Sequence, residues 1–144
     1  MSAEVKGYPY KDSYGDELTV YPKLNMYADN SNLYVGLDSF DEDIGEVDAY
    51  CDLTVNIYKL PYLCSCVNIE YGGEQHAKFL EEKGIAQFTG KWVPSGFMSF
   101  PVFRFNEDKL REIDPEMFAE YAKAYGREVE AKKPLDQQIR KASD

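Results

Sequence analysis

YCDLTVNIYKLPYLCSCVNIE, residues 50–70, is the stretch on which the fold turns. Cys51, Leu53, Val55 and Ile57 alternate there with Tyr50, Asp52, Thr54, Asn56 and Tyr58. A period of two puts the first set on one face of a strand and the second on the other, so the pattern predicts a half-buried strand. Leu60-Pro61 ends it, because proline brings no amide hydrogen to a ladder. A second β-rich run, Tyr62 to Ile69, follows within hairpin distance, and the pair is expected to form the centre of an antiparallel sheet.

Upstream, Leu18/Val20 and Leu24/Met26/Ala28 alternate across Pro22, which predicts an interrupted or edge strand. Asp29-Asn30-Ser31-Asn32 is turn chemistry, since Asp and Asn accept left-handed angles and bond their own backbone. Leu33, Val35 and Leu37 then supply the returning strand. Residues 1–16 hold Tyr8, Tyr10 and Tyr14 among Gly, Pro, Lys and Asp without a sustained period, and read as an irregular arm. Asp38 to Asp48, DSFDEDIGEVD, is too charged to be buried and reads as a solvated loop. A calcium loop counted from Asp41 would place Gly45 at position five and Glu46 where the glycine is required, so no calcium site is expected.

Downstream, Gly72-Gly73 opens a helix with Glu74 in its first turn, where the dipole favours an anion. Ala77 and Leu80 share a face with Phe79 beside them, and Gly84 followed by Ile85 has the chemistry of a Schellman stop. Phe88, Trp92 and Pro94-Ser95-Gly96 fall in a connection. FMSFPVFRF, residues 97–105, is a strand that Pro101 demotes to an edge or a bulge. Asn106 caps a short turn through Ile113. Asp114-Pro115-Glu116 places an N-cap and a first-turn proline ahead of Phe118, Tyr121, Ala122 and Tyr125, which recur at helical spacing until Gly126. Residues 127–144 are polar apart from Val129, Leu135 and Ile139, and are expected to be a flexible tail. The reading is one α+β domain over residues 1–126: an antiparallel sheet of about five strands, a meander of hairpins, with two short helices packed on it.

A chain of 144 residues is one ordinary domain, able to bury a core without metal or disulfide staples. No run approaches the roughly 20 apolar residues of a spanning helix, and the N-terminus lacks an apolar signal core. Cys51, Cys64 and Cys66 all fall in expected strands, and two residues of separation keep Cys64 and Cys66 on one face without an easy bridge. A reducing, cytoplasmic location without membrane attachment is therefore expected. The net charge of −10 is uneven: residues 1–60 hold 12 acids against 4 bases, and no base lies between Lys23 and Lys59. Such a surface repels phosphates, so direct nucleic-acid binding is not expected and a basic partner is.

Little in the chain supports bond-making chemistry. Cys51, Cys64, Cys66 and His76 have the number of ligands a zinc ion needs, but Cys-x-Cys within a strand is not knuckle spacing, and core thiols are expected instead. His76 is the sole histidine, so a hydrolase or transferase reading would need it beside Glu70 or Glu74. No nucleophile elbow, phosphate loop or His-Glu-x-x-His is present, and no catalytic residue, metal or cofactor is expected. Twelve tyrosines suit either an interface, with Tyr50 and Tyr58 on the polar row of the central strand as its candidate aromatics, or an aromatic-rich core with tyrosine rims.

LTVNI (residues 53–57), Leu60-Pro61 with CVNIE (66–70), FLEEKGIAQFTG (79–90), SGFMSFPVFRF (95–105) and the Asp114-Pro115 helix start together resemble a bacterial family with no assigned activity, domain-of-unknown-function family 4313. The likeness runs from about Leu53 to Tyr125. It implies no catalytic residues, only a setting in plasmids and conjugative elements. The function expected is thus a non-enzymatic accessory or host-defence-evading protein of a mobile element. Asp38, Asp41, Glu42, Asp43, Glu46 and Asp48, with Tyr50 and Tyr58, would engage a basic protein surface such as that of a nucleic-acid-binding protein, in the sharpest version by imitating nucleic acid. The alternatives are the His76 enzyme and a structural homodimer joined at the Pro101 edge or through tyrosines.

Overall fold

The alternation across residues 50–58 is shared between two strands that lie in different sheets. The computed structural model describes residues 7–11, 15–41, 43–69 and 73–127. One antiparallel sheet is a plain meander of β1 (Tyr8–Lys11), β2 (Glu17–Met26), β3 (Leu33–Asp41) and β4 (Glu46–Asp52). The second contains β5 (Thr54–Val55), β6 (Cys64–Val67), β7 (Ala86–Ser95) and β8 (Met98–Phe105) in the order β5-β6-β8-β7. Three helices accompany them: α1 (Gly73–Glu82), α2 (Glu107–Ile113) and α3 (Pro115–Ala124). The α+β class holds, while the strands number eight and the helices three among the described residues.

Leu53, fully buried, is where the chain changes sheet. Its N–H donates to the Val35 carbonyl at 2.9 Å and its carbonyl accepts from Asn68 N–H at 2.8 Å, so one residue is held by both sheets. Thr54, on the expected polar row, is buried at the same seam and its hydroxyl accepts from Val35 N–H at 3.2 Å. Ser65 Oγ adds a bond to the Leu33 carbonyl at 2.8 Å. The expected central pair is thereby corrected. β5 does pair with β6, Thr54 facing Val67, but β4 and β5 are both outer strands. A period of two reports faces, and it cannot report that the neighbouring strand has changed.

Three further expectations are corrected. Tyr8–Lys11, inside the supposed arm, pairs with β2 and buries Tyr8 and Tyr10. The supposed acidic loop is a hairpin: β3 runs to Asp41, β4 starts at Glu46, and the Phe40 and Val47 side chains stand opposite one another. Gly45 closes the turn with φ 70 and donates to the Asp41 carbonyl at 2.8 Å. Carboxylates do not forbid a strand whose flanks are wet. The connection holding Phe88, Trp92 and Pro94-Ser95 is the strand β7.

Both prolines sit where a ladder ends. Pro22 pairs with Leu37 of β3 just past Val20, the last β2 residue matched to β1, so β2 is continuous. Pro101 faces Trp92 beside a register shift in the β7–β8 ladder, and β6 matches only Val102 to Arg104. The bulge reading of Pro101 therefore holds and the edge reading does not, because β8 lies inside its sheet.

The helix signals hold. Asp114 Oδ1 accepts from Met117 N–H at 3.0 Å with Pro115 in the first turn, and Asn106 Oδ1 accepts from Lys109 N–H at 3.1 Å to start α2. At the end of α1, Ile85 N–H reaches the Leu80 carbonyl at 2.9 Å across Gly84, whose φ is 68. Phe118 and Tyr121 of α3, Phe79 and Leu80 of α1, and the inner rows of both sheets form the main core. Residues 1–6, the tail from residue 128 with Val129, Leu135 and Ile139, and Tyr14, Glu42 and Glu70 lie outside the described residues. Among the described residues no helix is long and apolar enough to cross a membrane.

Candidate functional site

Alternation along β3 and β4 sorts the acidic residues onto two faces. Asp38 and Phe40 share one face with their partners Ala49 and Val47. Asp41, Glu46 and Asp48 project from the other, while Asp43 lies in the turn with its N–H donating to Asp41 Oδ1 at 2.9 Å. Asp38 pairs with Lys23 Nζ at 2.7 Å, so its charge is locally balanced. Nucleic-acid mimicry requires carboxylates in rows spaced like phosphates, roughly one charge per 1.7 Å of axis. A hairpin with its acids divided between two faces offers no such rows, and the mimicry version is set aside.

The hairpin displays instead something the sequence reading passed over. Phe40, Ile44 and Val47 are about half exposed, at 51%, 55% and 47%. Phe40 and Val47 form a cross-strand pair and Ile44 tops the turn. Beside them a hollow of about 460 Å³ is lined by Tyr21, Pro22, Lys23, Asp38, Val47 and Ile113. A solvated loop has no use for three large apolar side chains at alternating and turn positions, and that was the available signal.

The two expected aromatics do not join this surface into one patch. Tyr50 follows the register shift between Leu37 and Asp38, and its ring meets Tyr10 edge to face at 5.9 Å, with Tyr10 in turn 5.3 Å from Phe79. Tyr58 is exposed at the opposite end of β3, where its carbonyl accepts from Asn32 Nδ2 at 2.5 Å.

Asn32 anchors that opposite end. Only 1% exposed, it also donates through Nδ2 to Asn56 Oδ1 at 2.9 Å and accepts at Oδ1 from Leu60 N–H at 2.9 Å. Asn30 and Asp29 bind the same Asn56, and Lys59 Nζ reaches the Asn30 carbonyl at 2.6 Å while standing over the Tyr125 ring. Every amide here is partnered, so the cluster joins the β2–β3 turn to the loop after β5 and to the end of α3. It is structure and not a vacant site.

His76 is 6% exposed, and its Nδ1 lies 2.7 Å from the Asn68 carbonyl, which ties α1 to the strand before it. The thiols are placed to stay protonated. Burial and then the Asp52 charge push Cys51 up to about 12, and burial pushes Cys66 up to about 11. A thiolate ligand needs the opposite shift. Among the described residues no group of three His, Cys, Asp or Glu side chains stands close enough to hold a metal ion.

A family model described as a domain of unknown function, DUF4313, matches residues 22–125. The matched span begins at Pro22, upstream of the resemblance noted from Leu53, and so takes in the whole acidic hairpin. No curated protein and no solved structure matches the chain.

Proposed function

The chain belongs to the DUF4313 family, and on that premise we propose that it is a non-enzymatic accessory binding protein whose β3–β4 hairpin docks on a basic, partly apolar surface of another protein. The observation that carries this reading is one hairpin that exposes Phe40 and Val47 on one face, Asp41, Glu46 and Asp48 on the other, and Asp43 and Ile44 at its turn, in a segment without a single basic residue. Apolar side chains supply contact energy once water is displaced, and charge of one sign on the same hairpin selects the partner and speeds encounter. A partner that grips the hairpin from both sides meets apolar contact on one face and charge on the other.

The test compares wild type with D41N/D43N/E46Q/D48N and with F40S/V47S as baits in bacterial lysate, at low salt and at about 0.3 M salt, where the Debye length falls to roughly 5–6 Å. The expected result is a protein retained by wild type, lost by both variants, and weakened by salt. If the three baits retain the same proteins, the reading fails.

A further inference from the structure

The β7–β8 hairpin repeats the plan of β3–β4 with the opposite charge. It turns at Gly96-Phe97, where Gly96 alone has a positive φ (64), as in a type II′ hairpin turn. Phe97 stands fully exposed at the tip, and Phe88, Trp92 and Met98 are exposed behind it. Phe88 and Trp92 meet edge to face at 5.6 Å, on the face that their partners Phe103 and Pro101 define. Lys91 alternates to the other face, where Arg104 stands opposite Cys64. No acid occurs between Glu82 and Glu107, just as no base occurs between Lys23 and Lys59.

We propose that the β7–β8 hairpin of one copy docks on the β3–β4 hairpin of a second copy, head to tail. The proposal rests on the acidic hairpin being a docking surface, as above, and names this chain as one of its occupants. β4 and β7 are the outer strands of their sheets; at β7 the Phe88 N–H already donates to Glu81 Oε2 at 3.4 Å, so pairing along that edge is open only beyond Phe88. Laid side by side, the two match twice over. Val47 and Phe40 come beside Trp92 and Phe88 on one face, and Glu46 and Asp48 come beside Lys91 on the other. Packing of face on face would match the apolar rows alone. Pro94 and the register shift between Phe88 and Trp92 interrupt β7, which limits backbone pairing to a few residues. The contact is therefore small. Only Phe97 is fully exposed and Trp92 and Phe88 are about half so, against ~150–250 Å² for a whole aromatic side chain, so the joined patches fall below the ~1,200 Å² of a stable complex and weak association, taken as roughly 0.1–1 mM, is expected. Because the two surfaces differ, a joined pair keeps one surface of each kind free, and mass grows with concentration without stopping at a dimer unless a ring closes.

Sedimentation equilibrium from about 10 μM to about 1 mM tests this with the full chain, W92S/F97S and F40S/V47S, whose altered residues are all exposed and whose folding is checked by circular dichroism. Wild type is expected to gain mass with concentration, each variant alone to stay monomeric, and an equimolar mixture to form a dimer and nothing larger, since one intact surface of each kind survives. Wild type monomeric throughout, either variant associating as wild type does, or a mixture that stays monomeric would each overturn the proposal. Failure here leaves capture of a foreign partner at micromolar concentration untouched. Failure of that capture likewise leaves the mass of the purified chain to be read.

Discussion

The two ends of β3 are built on opposite plans. At Leu33 the strand enters a turn whose polar side chains are inside and bound: Asn32 is closed off from water with partners on Asn56, Tyr58 and Leu60. At Asp41 it leaves the core for a turn whose apolar side chains are outside and bare: Phe40, Ile44 and Val47. A buried amide with a full set of bonds serves the fold, because its removal strands its partners. An exposed apolar pair adds little to the fold, and on the proposed reading it serves a partner instead. Nine residues of one strand thus separate the part that holds the protein together from the part that we propose is offered to others.

The largest effect tests the bound end. Replacing the buried Asn32 with Ala removes the partners of the Leu60 N–H and the Tyr58 carbonyl in a part-buried site, where a fully buried orphan would cost about 1–3 kcal/mol each. A loss of about 3 kcal/mol in urea unfolding free energy is expected. A loss under about 0.5 kcal/mol, the level of an ordinary surface change, would break the comparison by showing that the amide cluster is dispensable.

A smaller effect comes from alkali. Burial raises Tyr27 and Tyr34 above their ordinary value of 10.0, with the Asp52 carboxylate, which accepts from the Tyr34 hydroxyl, adding to the rise at Tyr34. The sign follows directly. A raised pKa means that the folded state holds its proton after the unfolded chain has released it, so the contribution is complete below pH 10 and is lost as pH rises past it. Urea midpoints are expected to decline from pH 9 to pH 11, and less steeply in Y27F/Y34F than in wild type. Equal slopes would remove these two hydroxyls from the account of the bound end.

What could be read beforehand divides along the same line. Signals confined to a few residues held: the Asp114 cap, the Gly84-Ile85 stop, the turn after Asp29, the bulge at Pro101. Each depends on local dihedral preference and on hydrogen bonds within one turn, which a short window contains. The passage of the chain from one sheet to the other at Leu53 was hidden. Val35 and Asn68, the residues that hold Leu53 from either side, lie far along the chain, and alternation looks the same whichever sheet receives it. The acidic stretch hid its strands because composition was weighed over position. Phe40 and Val47 stand seven positions apart, and only pairing across the turn makes them neighbours. The charge asymmetry was legible from the outset, but the apolar pair on the opposite face of the same hairpin was not, since Phe40 and Val47 become neighbours only once the hairpin forms.

The smallest effect is the one that separates the two ends most sharply. Phe40 and Val47 each leave about half of their surface in water, so F40S/V47S removes cross-strand contact worth only a fraction of a kcal/mol and lowers the cost of exposing apolar area in the folded state. The two terms oppose one another, and the net change in unfolding free energy is expected within about 0.5 kcal/mol of zero. The same substitutions are expected to abolish partner capture and self-association together. If stability instead fell by about 2 kcal/mol, a loss typical of a buried side chain, the pair would belong to the core in solution. The acidic end of β3 would then be a second anchor of the fold and not its offered surface.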